Sequence, residues 1–437
     1  MPYRAAIFLS LFISLPVFAQ QAQEFFLSNG LKLIVKPDHR APIAVFQIWY
    51  KVGSVDEPSG QSGISHMLEH LMYKGTKIDP EGHLFKSMNR IGAQGNAFTS
   101  RDYSYFFHKL EKSHLAIAFQ LEAARMQHLS LNQYLFDLEK QVVKEEKATR
   151  RSNDPYIDVY DKLYSLAFPQ HGYATPIIGY QHDMEKLSLS QVQSWYQHYY
   201  QPGNAVIVVS GDVKPQEVIK LSEQYFGNIP SSKVSRTPHK PLLKQVEKRF
   251  VFPNSLPVGM LLIGFKVPVI TTAAPVWEAY ALEVLAGWLD SGSHSYLSRK
   301  LIKEQQLASQ VKIGYSLLSR YDNLFMIELL PANGATLDKL EKAINREIQQ
   351  LKMQLISDRE LQIIKNQIIS TAVFEQDSQH IQAKIIGQAE AIGLNWREDA
   401  KYVEHIQKIT AKQIQQVLRK YFVAVKKTTI IQPTENN

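Results

Sequence analysis

The sequence predicts an α+β protein made of two related α/β-sandwich domains, each a β-sheet packed by helices. Three observations carry this expectation. Short runs with period-two alternation are followed by longer runs with helical spacing, so strands and helices fall into separate groups. A pattern from the first half recurs in the second at a constant offset of 222 residues (186 to 408). Lys186–Gln193 (KLSLSQVQ) matches Lys408–Gln415 (KITAKQIQ), Tyr199 matches Tyr421, and Val208-Val209 matches Ile430-Ile431, so a helix and the strand after it recur together. Finally, 437 residues with 45% hydrophobic and 21% charged side chains can bury two cores, which excludes a disordered, collagen-like or coiled-coil chain.

Met1–Ala19 is expected to stand outside the fold. Arg4, an apolar stretch from Ala5 to Leu15 and Val17-Phe18-Ala19 before Gln20 make the charged start, apolar middle and small-residue end of a secretory signal. The run is shorter than the about 20 apolar residues a bilayer requires, and no other run is longer, so no membrane span is expected. Export without any cysteine suits a bacterial periplasm. Alternation then predicts strands over Leu31–Val35 and Ile43–Tyr50. Helical spacing predicts helices over Ile64–Tyr73, Pro80–Ile91, His114–His128 and Asn132–Arg151, with a strand pair at Asn96–Thr99 and Ser104–Leu110. A helix at Ser190–Tyr200 and a buried strand at Ala205–Val209 close a first domain set at residues 20–230. The Pro-, Ser- and Lys-rich stretch 231–248 reads as a linker, and residues 249–437 as the second, related domain.

The lack of cysteine removes disulfides, thiol nucleophiles, iron–sulfur clusters and Cys-ligated zinc, so any metal site must use His and carboxylates. A net charge of +8 is small for this length, and the basic residues are scattered, which argues against a nucleic-acid partner. The informative segment is Ser62–Thr76, SGISHMLEHLMYKGT. On a helix, His66 and His70 lie one turn apart on one face, with Glu69 beside them. Two neutral imidazoles at this spacing can converge on one cation, and a carboxylate between them can take a proton from a water there. His-x-x-Glu-His is the inverted order of the usual zinc-protease motif. A catalytic zinc site takes three protein ligands and one open position. The helix Asn132–Arg151 offers Glu139 and Glu146, two turns apart on one face, and Glu145, about 100° from Glu146. By spacing alone these candidates stay open, and the helix also reads as a charged solvent face.

His66-Met67-Leu68-Glu69-His70, Lys74-Gly75-Thr76, Asn96-Ala97-Phe98-Thr99-Ser100-Arg101-Asp102-Tyr103 and Asn204-Ala205…Gly211-Asp212-Val213 together resemble the pitrilysin-type zinc peptidases, which include the mitochondrial processing peptidase and bacterial two-chain enzymes. The resemblance runs through nearly all of the chain after the signal and is strongest over residues 25–215. It implies a Zn²⁺ held by His66, His70 and Glu146, with Glu69 as general base and Glu139 as a carboxylate that orients the site. It also implies that Asn96, Ala97, Phe98 and Thr99 form an edge strand on which an extended peptide or unfolded segment adds as a further strand. The two domains would then form half of a clam-shell, the second without metal ligands. With that ligand set complete, His171 and His294 are expected to be structural.

One departure stands out. Active single-chain members of the family carry an Arg and a Tyr seven residues apart in the later domain, where they reach the substrate. In Leu301–Val311 of this chain, Ile302 stands at the Arg position and Ser309 at the Tyr position, and no Arg from 231 to 437 has a Tyr seven residues on. The resemblance therefore implies the zinc subunit of a heterodimer, with a zinc-less sister subunit supplying the missing pair. The alternatives are a self-sufficient homodimer and a non-catalytic scaffold.

Overall fold

The computed structural model describes residues 21–80, 82–234 and 246–435. The signal expected at Met1–Ala19 and residues 235–245 of the expected linker lie outside the described residues. In the first half, β1 (Gln23–Phe26), β2 (Lys32–Pro37), β3 (Ile43–Tyr50), β4 (Gln94–Thr99), β5 (Ser104–Glu111) and β6 (Ala205–Gly211) form one sheet, ordered β1-β2-β6-β3-β5-β4. In the second, β7 (Lys248–Val251), β8 (Met260–Val267), β9 (Ala308–Gly314), β10 (Asn323–Pro331) and β11 (Lys427–Gln432) form another, ordered β7-β11-β8-β10-β9. Leaving β1 aside, the two sheets share one order and one set of directions. The parallel pairs are β2–β6 and β7–β11, and the other neighbours run antiparallel.

The helices of the first half are α1 (Ile64–Leu71), α2 (His83–Arg90), α3 (Leu115–His128), α4 (Gln133–Asn153), α5 (Ile157–Ala167), α6 (Gln181–Lys186), α7 (Leu189–Tyr199) and α8 (Pro215–Phe226). Those of the second are α9 (Trp277–Leu289), α10 (Leu337–Met353), α11 (Asp358–Glu375), α12 (Gln379–Ala391), α13 (Tyr402–Lys408) and α14 (Ala411–Tyr421). The internal repeat is structural. α7 and α14 start 222 residues apart (189 to 411), and so do β6 and β11 (205 to 427). Each of the two helices opens on a capping box, Ser188 with Gln191 and Thr410 with Gln413, which satisfies the first backbone N–H groups in the same way. α5 and α12 share the offset too (157 to 379), a correspondence their residues do not announce.

Each sheet packs one face against helices of its own half, giving two large apolar cores. Its other face is covered by a helix from the opposite half. α5 lies on the second sheet, where Val159 and Leu163 join Met260, Leu262, Leu324 and Ile430. There Lys266 donates to the Ala167 carbonyl (2.7 Å), and Lys248 to that of Leu166 (2.7 Å). α12 lies on the first sheet, where Ala383, Ile386 and Ala391 join Ile34, Val45, Trp49, Val206 and Val208. This exchange explains why β6 and β8 are buried along their whole length: both faces are covered, so neither shows the polar-out alternation of a half-exposed strand. The fit is tight at Gly387, where a Cβ would lie 2.0 Å from Trp49 Nε1.

Candidate metal centre

α1 carries two faces in eight residues. Ile64, Met67, Leu68 and Leu71, at the i, i+3, i+4, i+7 spacing of an apolar stripe, enter the first core. His66, Glu69 and His70 are left to face away from it. Two contacts fix the start of this short helix. Gly63 takes φ 87, and a Cβ there would meet the Ile178 carbonyl at 2.7 Å, so only glycine suits it. Glu57 then receives the Gly63 N–H (2.8 Å) and the Ser65 N–H (3.0 Å), placing a carboxyl on the positive end of the helix. Desolvation lifts the Glu57 carboxyl to about 8, against the pull of these donors.

α4 packs across α1 and is capped by Asn132, whose side chain accepts from Leu135 N (3.0 Å). Its two turns from Glu139 to Glu146 face the two histidines. One ligand atom each from His66, His70 and Glu146 lies within 4.8 Å of the others. Glu146 Oε2 is 3.6 Å from His66 Nε2 and 3.2 Å from His70 Nε2. Zinc bonded tetrahedrally at roughly 2.0–2.1 Å would set its donors about 3.3 Å apart, so these spacings fit the ion. The donors are also of the right kind. Glu146 Oε2 has no hydrogen-bond partner, and burial holds the His66 imidazole below its usual range, toward the neutral form that ligates.

Behind this group, Glu139 is 2% exposed, with Oε2 3.3 Å from His70 Nδ1 and Oε1 paired with Lys74 (2.7 Å). A ligating histidine backed by a carboxylate in this way is fixed in tautomer and ring orientation. Arg150, one turn after Glu146, pairs with its other oxygen (2.5 Å). Beside the group, Glu69 Oε2 accepts from the Thr99 hydroxyl (2.5 Å), and desolvation raises the Glu69 carboxyl. Glu145 is exposed and stands outside the cluster.

β4 is the terminal strand of the first sheet among the described residues and pairs only with β5. Ala97 is buried in the core and Thr99 points to Glu69, whereas Phe98 takes the opposite face and stacks on Tyr105 (5.4 Å between ring centres). Asn96 is exposed, and its Oδ1 accepts from Ala97 N (2.9 Å). His171 Nδ1 accepts from Tyr173 N (3.1 Å), and His294 sits beside the Ser293 hydroxyl (3.0 Å); neither joins the cluster. Ile302, on a π-helical turn over Ser298–Glu304, packs against the second core, and Ser309 lies exposed on β9. Sequence reasoning did not find the roles of Glu57, Lys74 and Arg150. The i, i+4 spacing of Glu146 and Arg150 was the one local signal.

Residues 32–180 match the family described as Insulinase (Peptidase family M16), and residues 186–368 match the Peptidase M16 inactive domain. A "Zinc protease PqqE" of Helicobacter pylori is 31% identical over 331 residues, spanning 75% of this chain and 73% of that protein. The chain therefore belongs to peptidase family M16. A mitochondrial-processing peptidase subunit beta of Blastocladiella emersonii is 28% identical over 206 residues, 47% of this chain and 45% of its own. A human protein, cytochrome b-c1 complex subunit 1, is 27% identical over 215 residues, 49% of this chain and 44% of its own. Among solved structures, that of a protease from Helicobacter pylori superposes with a TM-score of 0.89 at 27% identity, covering 95% of this chain and all of that one. The fold is thus that of the two-domain M16 peptidases.

Proposed function

We propose that this chain is the zinc-binding subunit of a metalloendopeptidase that cleaves extended peptides or unfolded protein segments. The observation that carries the reading is the convergence of His66, His70 and Glu146 at ligand spacing with Glu69 alongside. When bound, zinc supplies a Lewis acid for the scissile carbonyl and lowers the pKa of a water toward about 7. His66, His70 and Glu146 hold the ion, and Glu139, steadied by Lys74, keeps the His70 ring in place. Glu69 takes the proton of the attacking water and passes it to the leaving amine, and its desolvated carboxyl suits both transfers. The Thr99 hydroxyl, bonded to Glu69, aims that carboxylate. An extended substrate joins the free edge of β4 at Asn96, Ala97, Phe98 and Thr99 through backbone hydrogen bonds, a mode tolerant of sequence.

The same reading sets the zinc-holding domain at residues 20–230 and the ligand-less one at 249–437. Ile302 and Ser309 leave the site without the Arg and Tyr that the resemblance leads one to expect, which supports a zinc-less sister subunit as partner. A periplasmic location follows from the signal-like pattern of Met1–Ala19; no described helix is long and apolar enough to cross a membrane. A non-catalytic scaffold is the second reading, supported by the likeness to a human cytochrome b-c1 complex subunit and by the match of residues 186–368 to the Peptidase M16 inactive domain. Metal analysis separates the two. The expected result is about one zinc per chain, lost on replacing His66, His70 or Glu146 by Ala. A protein that purifies without zinc, and gains none on incubation with it, is a scaffold.

A further inference from the structure

The second half holds a cavity of about 540 Å³ where the first half keeps its metal centre. α9 follows β8 as α1 follows β3, and α11 crosses α9 as α4 crosses α1. Matching the run of buried and half-buried positions along the two helices, which agrees at all but one place at a separation of 217 (70 to 287), sets Glu283 on His66 and Gly287 on His70. The 222-residue offset (139 to 361) sets Leu361 on Glu139 and Ile368 on Glu146. Of these four positions only Glu283 still carries a group that could hold a metal, and one donor does not make a site. A Cβ on Gly287 would stand 3.1 Å from Ile364 and 3.3 Å from Ile368, so the helices close up where the ion would have been. The remaining space opens beside them, toward α12 and α13.

The wall of this space is largely apolar, with three tyrosines, Tyr280, Tyr315 and Tyr402, and four carboxylates, Glu283, Glu375, Glu398 and Asp399. None of its lining residues is Lys, Arg or His. Glu398 has a partner in Lys401 (2.9 Å), outside the lining. Glu283 lies within the cavity, while Glu375 and Asp399 are exposed at its mouth. Desolvation lifts the Glu283 carboxyl to about 7; Tyr402 opposes this through a hydrogen bond, and the charge of Glu375 adds to it. Asp399 is also raised, by desolvation and by Glu375, with Lys36 the opposing charge. These acids repel one another across an aromatic and aliphatic chamber. A long apolar stem ending in a cation complements both features: the stem takes the Ile and Leu walls, and the charge meets Glu283, which is hydrogen-bonded to Tyr402.

We propose that this cavity binds a basic side chain, lysine or arginine, carried on an extended peptide, and so acts as a second anchoring point for substrate away from the metal centre. The peptide as carrier rests on the peptidase reading; the cavity and its charge do not. The test uses the full chain stripped of zinc, so that nothing is cleaved. A labelled short peptide with one arginine and its twin with citrulline are titrated by fluorescence anisotropy at low salt. Expected is about 10-fold or more tighter binding of the arginine peptide, the scale of a charge-assisted hydrogen bond, reduced to within about twofold by Glu283→Gln together with Glu375→Gln. Thr371→Arg, an exposed lining position, puts a cation at the mouth without touching the interior and is expected to remove the same preference. Equal binding of the two peptides, or a preference that survives both sets of variants, overturns the proposal. So does free arginine amide binding as tightly as the peptide, which would mark a small-cation site instead. Peptide hydrolysis by the zinc-loaded wild type is read separately, so the peptidase reading can fail while this one stands.

Discussion

In the proposed mechanism, replacing Glu69 by Gln removes the base and leaves His66, His70 and Glu146 in place. Zinc content is therefore expected to stay at the wild-type level while turnover falls by about 10²–10⁴, the usual worth of a positioned acid–base group. Peptide cleavage at the wild-type rate by Glu69→Gln would move the base elsewhere. Glu139→Ala tests the neighbouring role. It leaves the His70 ring without its backing carboxylate and Lys74 without its partner, so zinc affinity is expected to fall about 10–100-fold by competition with a chelating dye. An unchanged affinity would make Glu139 a packing residue only. His66, Glu69 and His70 were legible in the sequence because one helical turn holds all three. Glu146 needed the family pattern, since spacing gives Glu139 and Glu145 equal standing. Thr99 was expected on the substrate strand, but its bond to Glu69 was not readable, nor were the parts of Lys74 and Glu57, because these contacts are tertiary: a hydroxyl across from a sheet edge, a lysine reaching α4, and a carboxyl turned back onto a helix start.

Among the elements, α12 and α5 matter most, because each covers a sheet belonging to the other half. Gly387→Leu is the direct test. Leucine favours a helix over glycine by about 1 kcal/mol, but the side chain must enter the space of Trp49, and overpacking costs about 1–3 kcal/mol or more. A melting temperature several degrees below wild type is expected. One at or above it would mean that α12 does not press on Trp49. The strand at 43–50 was readable from its alternation, and the strand at 205–211 and the helix ending at Tyr199 from a short apolar run, helical spacing and the 222-residue repeat. α5 and α12 were not read at all. The offset relates their positions, but IDVYDKLYSLA and QHIQAKIIGQAEA share too little chemistry to reveal it, and each helix is shaped by the foreign sheet it covers. The helix expected from Pro80 begins at His83, once Asp79 has taken the His83 and Leu84 N–H groups.

At the scale of the whole molecule, the proposed mechanism takes its attack from zinc, water and Glu69 and needs donors for the developing oxyanion from elsewhere. Losing one such donor costs about 10²–10³ in rate, and Ile302 and Ser309 provide neither of the expected pair. The purified chain, loaded with zinc, is expected to cleave peptides poorly, and a sister chain carrying the Arg and Tyr is expected to restore turnover and co-elute with it. High turnover that does not rise on adding the sister would favour the homodimer. The exchanged helices also set an order on biosynthesis. As the chain leaves the ribosome, the first sheet can gather its own helices, yet Ile34, Val45, Trp49, Val206 and Val208 stay bare until residues 379–391 emerge. Any nascent chain that stops before that point presents a greasy sheet to chaperones and proteases, so release of a folded first half is tied to synthesis through residue 391.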